Sequence, residues 1–374
     1  MYRRFHDIFP LIPTKMLRTH TLSGKISCDL PHQGLVDIPS RHDKNTCMSH
    51  YPNMPATAAK IASGDRRALA RAITLVESTR TDQRTEALAL LNTLGTTRQA
   101  LRIGLSGTPG VGKSTFIESF GLMLTGMGKK VAVLAVDPSS ARSGGSILGD
   151  KTRMDFLARD PNAFIRPSPS QTQLGGVTRR TREAVALCEA AGYDVVLIET
   201  VGVGQSETVV AQMSDLFVLL LAPAGGDELQ GVKRGIMEIA DIVLVNKADG
   251  ELKSQATRTC ADYAGALRLL RKRPQDPDGF PLAKMVSALE TQGLSEAWAD
   301  MQTLTTWRKD NSIWDQTRAE QSRHWFHEEV HLQLMAQLTA DAALRERLKE
   351  MEAQVVSGDI SPAAAAMQVL AKPL

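Results

Sequence analysis

The chain has 374 residues, of which 43% are hydrophobic, and its 44 basic and 41 acidic residues leave a formal net charge of +3. This length and apolar fraction predict one large domain with additions, or two domains. Charges of both signs are mixed along the chain, and no apolar run approaches the ~20 residues that span a bilayer, so we expect neither a nucleic-acid nor a membrane partner. The four cysteines are scattered without a CxxC pair, as is typical of reduced thiols in a cytoplasmic protein.

The first two segments differ in periodicity. Residues 1–55 show no sustained pattern, and we expect a disordered extension, or a stretch upstream of the working initiator, Met48 or Met54. Residues 56–99 are periodic instead, with an apolar helical stripe from 68 to 76 and an aspartate just ahead of it that is suited to cap a helix. This segment is predicted to be an N-terminal helical extension.

Residues 107–114 read Gly-Thr-Pro-Gly-Val-Gly-Lys-Ser, a complete match to the Walker A pattern. A predicted buried strand precedes the motif and a predicted helix follows it, as the motif requires. Its glycines let backbone N–H groups turn inward around phosphates, and the helix N-terminus adds partial positive charge. Lys113 is predicted to reach the β- and γ-phosphates and Ser114 to ligate Mg²⁺. The predicted nucleotide contacts in this loop are Gly107, Thr108, Pro109, Gly110, Val111, Gly112, Lys113, Ser114 and Thr115.

Acidic residues follow two later strands. A predicted strand ends at Asp137, and a glycine-rich stretch carrying Asp150 comes next; a second strand ends at Glu199, with Gly202 after it. The carboxyl ends of parallel strands face the ligand crevice, so Glu199 can hold the magnesium shell or orient water, and the Gly202 N–H can sense a γ-phosphate. Asp137 and Asp150 taken alone are explained equally well as turn or cap residues.

A guanine-specificity pattern, NKxD, follows the predicted strand 241–245. The Asp249 carboxylate can accept from guanine N1–H and the N2 amino group together, a donor pair that adenine does not present. Asn246 is expected to tie loops together, and the Lys247 stem to cover the base face. A later strand ends in a stretch that matches the last guanine-contacting loop, where a backbone N–H meets guanine O6. That stretch is Ser287, Ala288 and Leu289.

Residues 222–233 form a third glycine-rich stretch that we interpret as a movable loop. Lys233 at its end is the candidate cation that a partner would swing toward the nucleotide to complete the transition state. The alternative interpretation is a solvated lysine at a helix start.

Together these segments resemble the MeaB/ArgK-type GTPases, a SIMIBI-type group associated with methylmalonyl-CoA mutase. The resemblance spans roughly residues 55–370 and rests on GTPGVGKST, VLAVDPSS, GGSILGDKTRM, VVLIETVGVGQSE and NKAD. The resemblance implies a doubly wound α/β fold with a mostly parallel sheet. It also implies that the protein hydrolyses GTP to GDP with Mg²⁺, and that Asp137, Asp150 and Glu199 lie around the metal.

The same resemblance implies partners. These are a second copy of the chain, joined through the C-terminal helices, and an adenosylcobalamin-dependent acyl-CoA mutase whose cofactor loading the protein gates and which it protects. An adenosyltransferase is a further candidate partner. The expected segments are residues 1–55, 56–99, a GTPase domain over 100–292 and a C-terminal helical dimerisation extension over 293–374.

Two other hypotheses stay open. A nickel-insertion GTPase would need a His-rich or Cys/His cluster to bind the metal, and the sequence in and near the GTPase domain lacks one. A kinase linked to basic amino-acid transport would need a phosphoacceptor pocket, whereas NKxD and three switch-like loops favour a regulatory GTPase.

Overall fold

The computed structural model describes residues 53–95, 98–136, 154–167, 174–200, 206–223, 234–270, 273 and 275–370. Nearly all of the extension predicted for residues 1–55 lies outside this part of the chain. Four predicted site residues also lie outside it, namely Asp137, Asp150, Gly202 and Lys233.

The described residues form one seven-stranded sheet in which every neighbouring pair of strands is parallel. The strands are β1 (Leu101–Gly107), β2 (Val131–Val136), β3 (Ala163–Arg166), β4 (Val195–Thr200), β5 (Leu216–Leu221), β6 (Ile242–Val245) and β7 (Leu282–Met285). Their order is β3-β2-β4-β1-β5-β6-β7, so β1 lies between β4 and β5. The central strands are buried almost throughout, as strands covered on both faces must be. The predicted doubly wound α/β fold is therefore confirmed.

The α-helices of the described segments pack on this sheet or on one another. They are α1 (Met54–Ala62), α2 (Arg66–Glu77), α3 (Thr81–Leu94), α4 (Lys113–Gly126), α5 (Asp155–Arg159), α6 (Leu174–Ala190), α7 (Ser206–Met213), α8 (Arg234–Ile239), α9 (Lys253–Leu269), α10 (Leu294–Asp310), α11 (Ile313–Ala340), α12 (Ala342–Ser357) and α13 (Pro362–Leu370). None of these helices is long and apolar enough to cross a membrane.

A capping residue in the sequence sets the start of α2, whereas the start of α6 is not set by its local sequence. The Asp65 side chain accepts from Arg67 N and Ala68 N, so α2 begins at the cap that its sequence indicates. The sequence of residues 173–178, with two adjacent glycines, predicts a turn that leads into a helix from Arg179. That prediction is wrong from residue 174 onward, because α6 begins at Leu174 and runs through both glycines. Tertiary packing outweighs the helix-breaking tendency of glycine there, since α6 packs against α2 and β2.

Aromatic packing joins the Walker helix to the C-terminal part of the chain. Phe116 and Phe120 on α4 stack with ring centroids 5.2 Å apart, and Trp298 on α10 meets Phe120 edge-on at 6.0 Å. All three side chains are buried in the core cluster that includes the central strands. The first C-terminal helix is thus part of the core that supports the Walker loop.

Buried aspartates pin the amino-terminal edge of the sheet. Asp215 stands just before β5, and its Oδ2 accepts from Arg102 N in β1 at 2.8 Å. Asp241 stands just before β6, and its Oδ2 accepts from Phe217 N in β5 at 2.7 Å. Each carboxylate therefore joins the start of its own strand to the start of the neighbouring one.

Two arginines from the C-terminal helices neutralise these aspartates. Arg318 on α11 donates to Asp215 Oδ2 at 2.6 Å, and Arg308 on α10 donates to Asp241 Oδ1 at 2.6 Å and to Asp276 Oδ1 at 2.7 Å. Burial raises the pKa of the Asp215 carboxyl, while the hydrogen bond and charge of Arg318 act in the opposite direction. A buried pair of this kind is costly to break, because removal of one partner leaves an uncompensated charge.

We expect Arg308→Ala to lower the free energy of unfolding by about 2 kcal/mol, because Asp241 and Asp276 lose the charged hydrogen bonds of one of their two shared arginines and keep only Arg273. Urea denaturation monitored by circular dichroism measures the change. Lys349→Ala, which removes an exposed ion pair on α12, is the matched control and should cost under about 0.5 kcal/mol. Equal losses in the two variants would contradict the anchoring role of Arg308.

Candidate nucleotide-binding site

The Walker loop runs from the end of β1 to the start of α4, and two of its glycines are required by space. A Cβ on Gly107 would collide with the Leu220 carbonyl oxygen of β5. Gly112 has a φ of 90°, and a Cβ there would lie 2.8 Å from Asn246 Nδ2. Side chains are excluded at both positions because the loop backbone lies directly against β5 and Asn246.

Lys113 is held over this loop. Its side chain is buried, and its Nζ donates to Gly107 O at 2.7 Å and to Thr108 O at 3.4 Å. These carbonyl partners keep the ammonium at the mouth of the loop, where phosphate oxygens can replace them. Ser114 follows in the first turn of α4 and is half-buried.

Glu199 lies at the end of β4, on the strand beside the Walker strand. The β4 register places it opposite Leu105 of β1 and Ala135 of β2, and it is 7% exposed. The next residue, Thr200, donates from Oγ1 to Ser106 Oγ at 3.1 Å, and both hydroxyls are buried. This bond joins the end of β4 to the residue that immediately precedes the Walker loop.

Hydroxyl and carboxylate oxygens such as those of Ser114 and Glu199 are the donors that Mg²⁺ prefers. Within the described residues, no group of three or more His, Cys, Asp or Glu side chains is placed to hold a metal ion. Mg²⁺ is usually bound through one or two carboxylates together with waters and substrate phosphates, so Ser114 and Glu199 fit a magnesium nucleotide and do not form a protein-only cage.

Asn246 connects the guanine motif to two other loops. Its Nδ2 donates to Val111 O in the Walker loop at 3.0 Å, and its Oδ1 accepts from Ala288 N at 3.0 Å. Lys247 has a φ of 60°, and its Nζ donates to Gly110 O at 2.7 Å. The lysine stem therefore lies along the Walker loop, and the three loops form one hydrogen-bonded group.

Asp249 is held by Ser287. The Ser287 hydroxyl donates to Asp249 Oδ2 and accepts from Glu290 N at 3.0 Å, and Ser287 is fully buried. Among the described residues, no hydrogen bond to Asp249 Oδ1 is found. Ser287 thus orients the carboxylate that is proposed to contact the base. Leu289, the last predicted contact residue of the same loop, is 77% exposed.

Two connections in the site carry no motif of their own. Ser119 on α4 donates to Ala288 O at 2.6 Å and so ties the Walker helix to the guanine loop. Glu118, beside it, contacts α5. No sequence motif identifies Ser119 or Glu118, because their hydrogen-bond partners lie 169 and 38 residues away in the chain.

A Walker loop at the carboxyl end of a central parallel strand, bonded directly to an NKxD loop, defines a P-loop GTPase. Comparison with known proteins gives the family: the chain belongs to the MeaB family, because the family described as Methylmalonyl Co-A mutase-associated GTPase MeaB matches residues 69–343. The protein is accordingly a GTPase that binds guanine nucleotide.

Three similar proteins illustrate the relationship. The mouse (Mus musculus) protein named Methylmalonic aciduria type A homolog, mitochondrial, is 49% identical over 317 residues, which cover 82% of this chain and 76% of that one. GTPase ArgK of Escherichia coli strain K12 is 43% identical over 319 residues, covering 84% and 95%. The crystal structure of an LAO/AO transport system kinase matches with a TM-score of 0.68 and 36% identity, covering 85% of this chain and 97% of that one.

Lys113→Ala should lower GTP turnover at least ~100-fold, because the ammonium that stabilises charge on the transferring phosphoryl group is lost. Phosphate release measured at saturating GTP tests this, with circular dichroism to establish that the variant is folded. Lys60→Ala, at an exposed site on α1, is the control and should hydrolyse GTP as the unmodified protein does. Normal turnover in folded Lys113→Ala would remove Lys113 from the phosphate site.

Proposed function

We propose that this GTPase is a G-protein chaperone that gates adenosylcobalamin loading into methylmalonyl-CoA mutase, or a related acyl-CoA mutase, and protects that enzyme. The observation that carries the proposal is the family match over residues 69–343. The hydrogen bonds that join the Walker loop to the NKxD loop lie within the matched residues and support it. The name of the mouse relative agrees with a role in methylmalonate metabolism.

The proposed chemistry divides the loop residues by task. The backbone N–H groups of 107–115, apart from Pro109, which has none, bind the phosphates together with the Lys113 ammonium. Lys113 neutralises the charge that grows on the β–γ bridge. Bound Mg²⁺ supplies positive charge next to the phosphates, and the residues proposed to hold it are Ser114, Asp137, Asp150 and Glu199. The Gly202 N–H is assigned to the γ-phosphate.

Base recognition is assigned to the second loop group. The Asp249 carboxylate, oriented by Ser287, accepts from guanine N1–H and N2–H, while the Lys247 stem lies against the base. In this arrangement the Ala288 N–H already donates to Asn246, so guanine O6 must share that donor or use the next backbone N–H of the loop.

Asp249→Asn should weaken GTP binding and strengthen XTP binding, because the amide can donate to xanthine O2 where the carboxylate can only accept. Titrating both nucleotides into the purified variant measures the ratio of the two affinities. The control, Glu251→Gln, changes an exposed acid two residues away and should keep the original ratio. A ratio that stays constant in Asp249→Asn would take Asp249 out of the base site.

A second copy of the chain is the proposed partner of the C-terminal helices. Trp325 on α11 lies under the guanidinium groups of Arg102 and Arg182, at 5.8 and 5.3 Å, so that face of the helix is docked on the core. Apolar residues of α11 are exposed on another side. They are Phe326 at 64%, Val330 at 37%, Leu334 at 52% and Met335 at 57%. Burial of such a patch favours association, and Trp325 does not belong to it.

The mutase is proposed to act through residues 222–233, which end immediately before α8. A slow GTPase needs an additional cation to complete its transition state, and Lys233 is the proposed one. Binding of the partner would shift the population toward the form in which this lysine reaches the nucleotide.

Addition of an adenosylcobalamin-dependent methylmalonyl-CoA mutase should therefore stimulate GTP turnover, and Lys233→Ala should remove most of the stimulation while intrinsic turnover stays nearly unchanged. Phosphate release with and without the mutase measures both quantities, and Lys60→Ala is again the control. Stimulation of Lys233→Ala equal to that of the unmodified protein would reject Lys233. No stimulation of the unmodified protein, together with no co-purification, would reject the mutase as partner.

The alternative function is a kinase linked to basic amino-acid transport, which the description of the 36% identical solved structure favours. Radiolabelled GTP incubated with and without arginine separates the two functions. A kinase would transfer label to the amino acid, whereas the proposed GTPase releases it as inorganic phosphate in both reactions.

A further inference from the structure

Ser119 on the Walker helix bonds to the guanine loop and not to its own helix. Its Oγ is half-buried and donates to Ala288 O at 2.6 Å, across 169 residues of chain. A serine or threonine inside a helix commonly donates to a carbonyl three or four residues earlier. Thr125, further along α4, does this, because its Oγ1 donates to Leu122 O at 3.1 Å. The Ser119 hydroxyl instead supplies a donor to a different element.

The backbone of Ala288 is held at both of its polar groups. Its N–H donates to Asn246 Oδ1 at 3.0 Å, its C=O accepts from Ser119, and the residue is 2% exposed. A peptide group is planar and trans, so the C=O of Ala288 and the N–H of Leu289 point in opposite directions. Since Ser119 holds the carbonyl toward α4, it also turns the Leu289 N–H away from α4.

The Leu289 N–H is the open donor of this loop. The N–H groups on either side of it have partners, because Ala288 N donates to Asn246 and Glu290 N donates to Ser287 Oγ at 3.0 Å. In the described parts of the chain, no hydrogen bond from Leu289 N is found. Leu289 is also exposed, so a ligand can reach this N–H.

The chemistry of guanine connects this donor to the Asp249 carboxylate. The O6, N1–H and N2 amino groups lie side by side on one edge of the base, and Asp249 is assigned to the two nitrogens. The donor to O6 must therefore stand beside that carboxylate. Ser287 bonds to Asp249 directly, and Leu289 follows two residues later in the same loop.

We propose that Ser119 is a positioning residue for guanine recognition: its hydroxyl fixes the Ala288–Leu289 peptide so that the Leu289 N–H donates to guanine O6. This inference rests on the guanine assignment made under the proposed function. Ser119 acts through the peptide group and does not itself touch the nucleotide.

The test compares the affinities of GTP, 6-thio-GTP and ITP by titration calorimetry. In 6-thio-GTP a sulfur, which is a weak acceptor, replaces O6, whereas ITP keeps O6 and lacks the N2 amino group. Ser119→Ala should reduce the preference for GTP over 6-thio-GTP roughly three- to tenfold, the value of one hydrogen bond. The preference for GTP over ITP, which Asp249 sets, should stay within about twofold of the unmodified protein.

Two further variants separate positioning from stability. Ser119→Thr keeps the hydroxyl and should retain both preferences within about twofold. Thr125→Val removes a buried hydroxyl from the same helix, where its bond is internal to α4, and should retain both preferences whatever it does to the urea midpoint. By NMR, GTP should slow the amide hydrogen exchange of Leu289 in the unmodified protein and in Thr125→Val, and much less in Ser119→Ala.

Several results would overturn the proposal. Ser119→Ala with all three affinities unchanged, or lowered by one common factor, would make Ser119 a support of the loop and nothing more. Ser119→Thr as impaired as Ser119→Ala would show that the hydroxyl is not the group that matters.

The unmodified protein distinguishes this proposal from the one on which it rests. If it binds 6-thio-GTP as tightly as GTP, the Leu289 N–H does not donate to O6, and the assignment of Asp249 to the guanine nitrogens is unaffected. If it binds ATP as tightly as GTP, the guanine assignment itself is wrong, and this proposal with it.

Discussion

The site depends on one buried amide. Asn246 gives its N–H to the Walker loop and takes an N–H from the loop after β7, so the phosphate-binding and base-binding loops cannot move independently. The amide is 2% exposed, and a buried donor and acceptor must both be satisfied or stability is lost. A carboxylate replacement would lose the donor half of the bridge, and an aliphatic replacement would lose both halves. The parallel sheet makes this possible, because it brings the carboxyl ends of β1, β6 and β7 to one edge.

The two edges of the sheet have different tasks. At the carboxyl edge, Asn246 and Lys247 of the NKxD loop donate to backbone oxygens of the Walker loop. At the amino edge, by contrast, Asp215 and Asp241 each join two strand starts and each pair with an arginine from the C-terminal helices. The amino edge is thus built from buried charges with paired partners, whereas the described loops of the carboxyl edge are joined by hydrogen bonds from Asn246 and Lys247.

Sequence reasoning predicted the sheet, the Walker loop and the NKxD loop, because each of these is a local pattern of strand, turn and helix signals. It placed Ser287 in the guanine loop but did not predict that its hydroxyl holds Asp249, a contact made across 38 residues. Sequence reasoning also did not predict the roles of Ser119, Glu118 and the arginines of the amino edge, because folding alone brings their partners close to them. The early start of α6 was missed because packing, and not the propensity of its two glycines, decides it.

The anchoring of α10 and α11 has a consequence for how this chain can be divided. A cut at residue 293 would remove Arg308, Arg318 and Trp298 together with the exposed patch on α11. The shortened protein would lose core cations and a core aromatic in addition to its association surface, so a fall in activity would say nothing about assembly. Single polar replacements at Phe326 or Leu334, which are exposed and leave the arginines in place, allow self-association to be separated from folding.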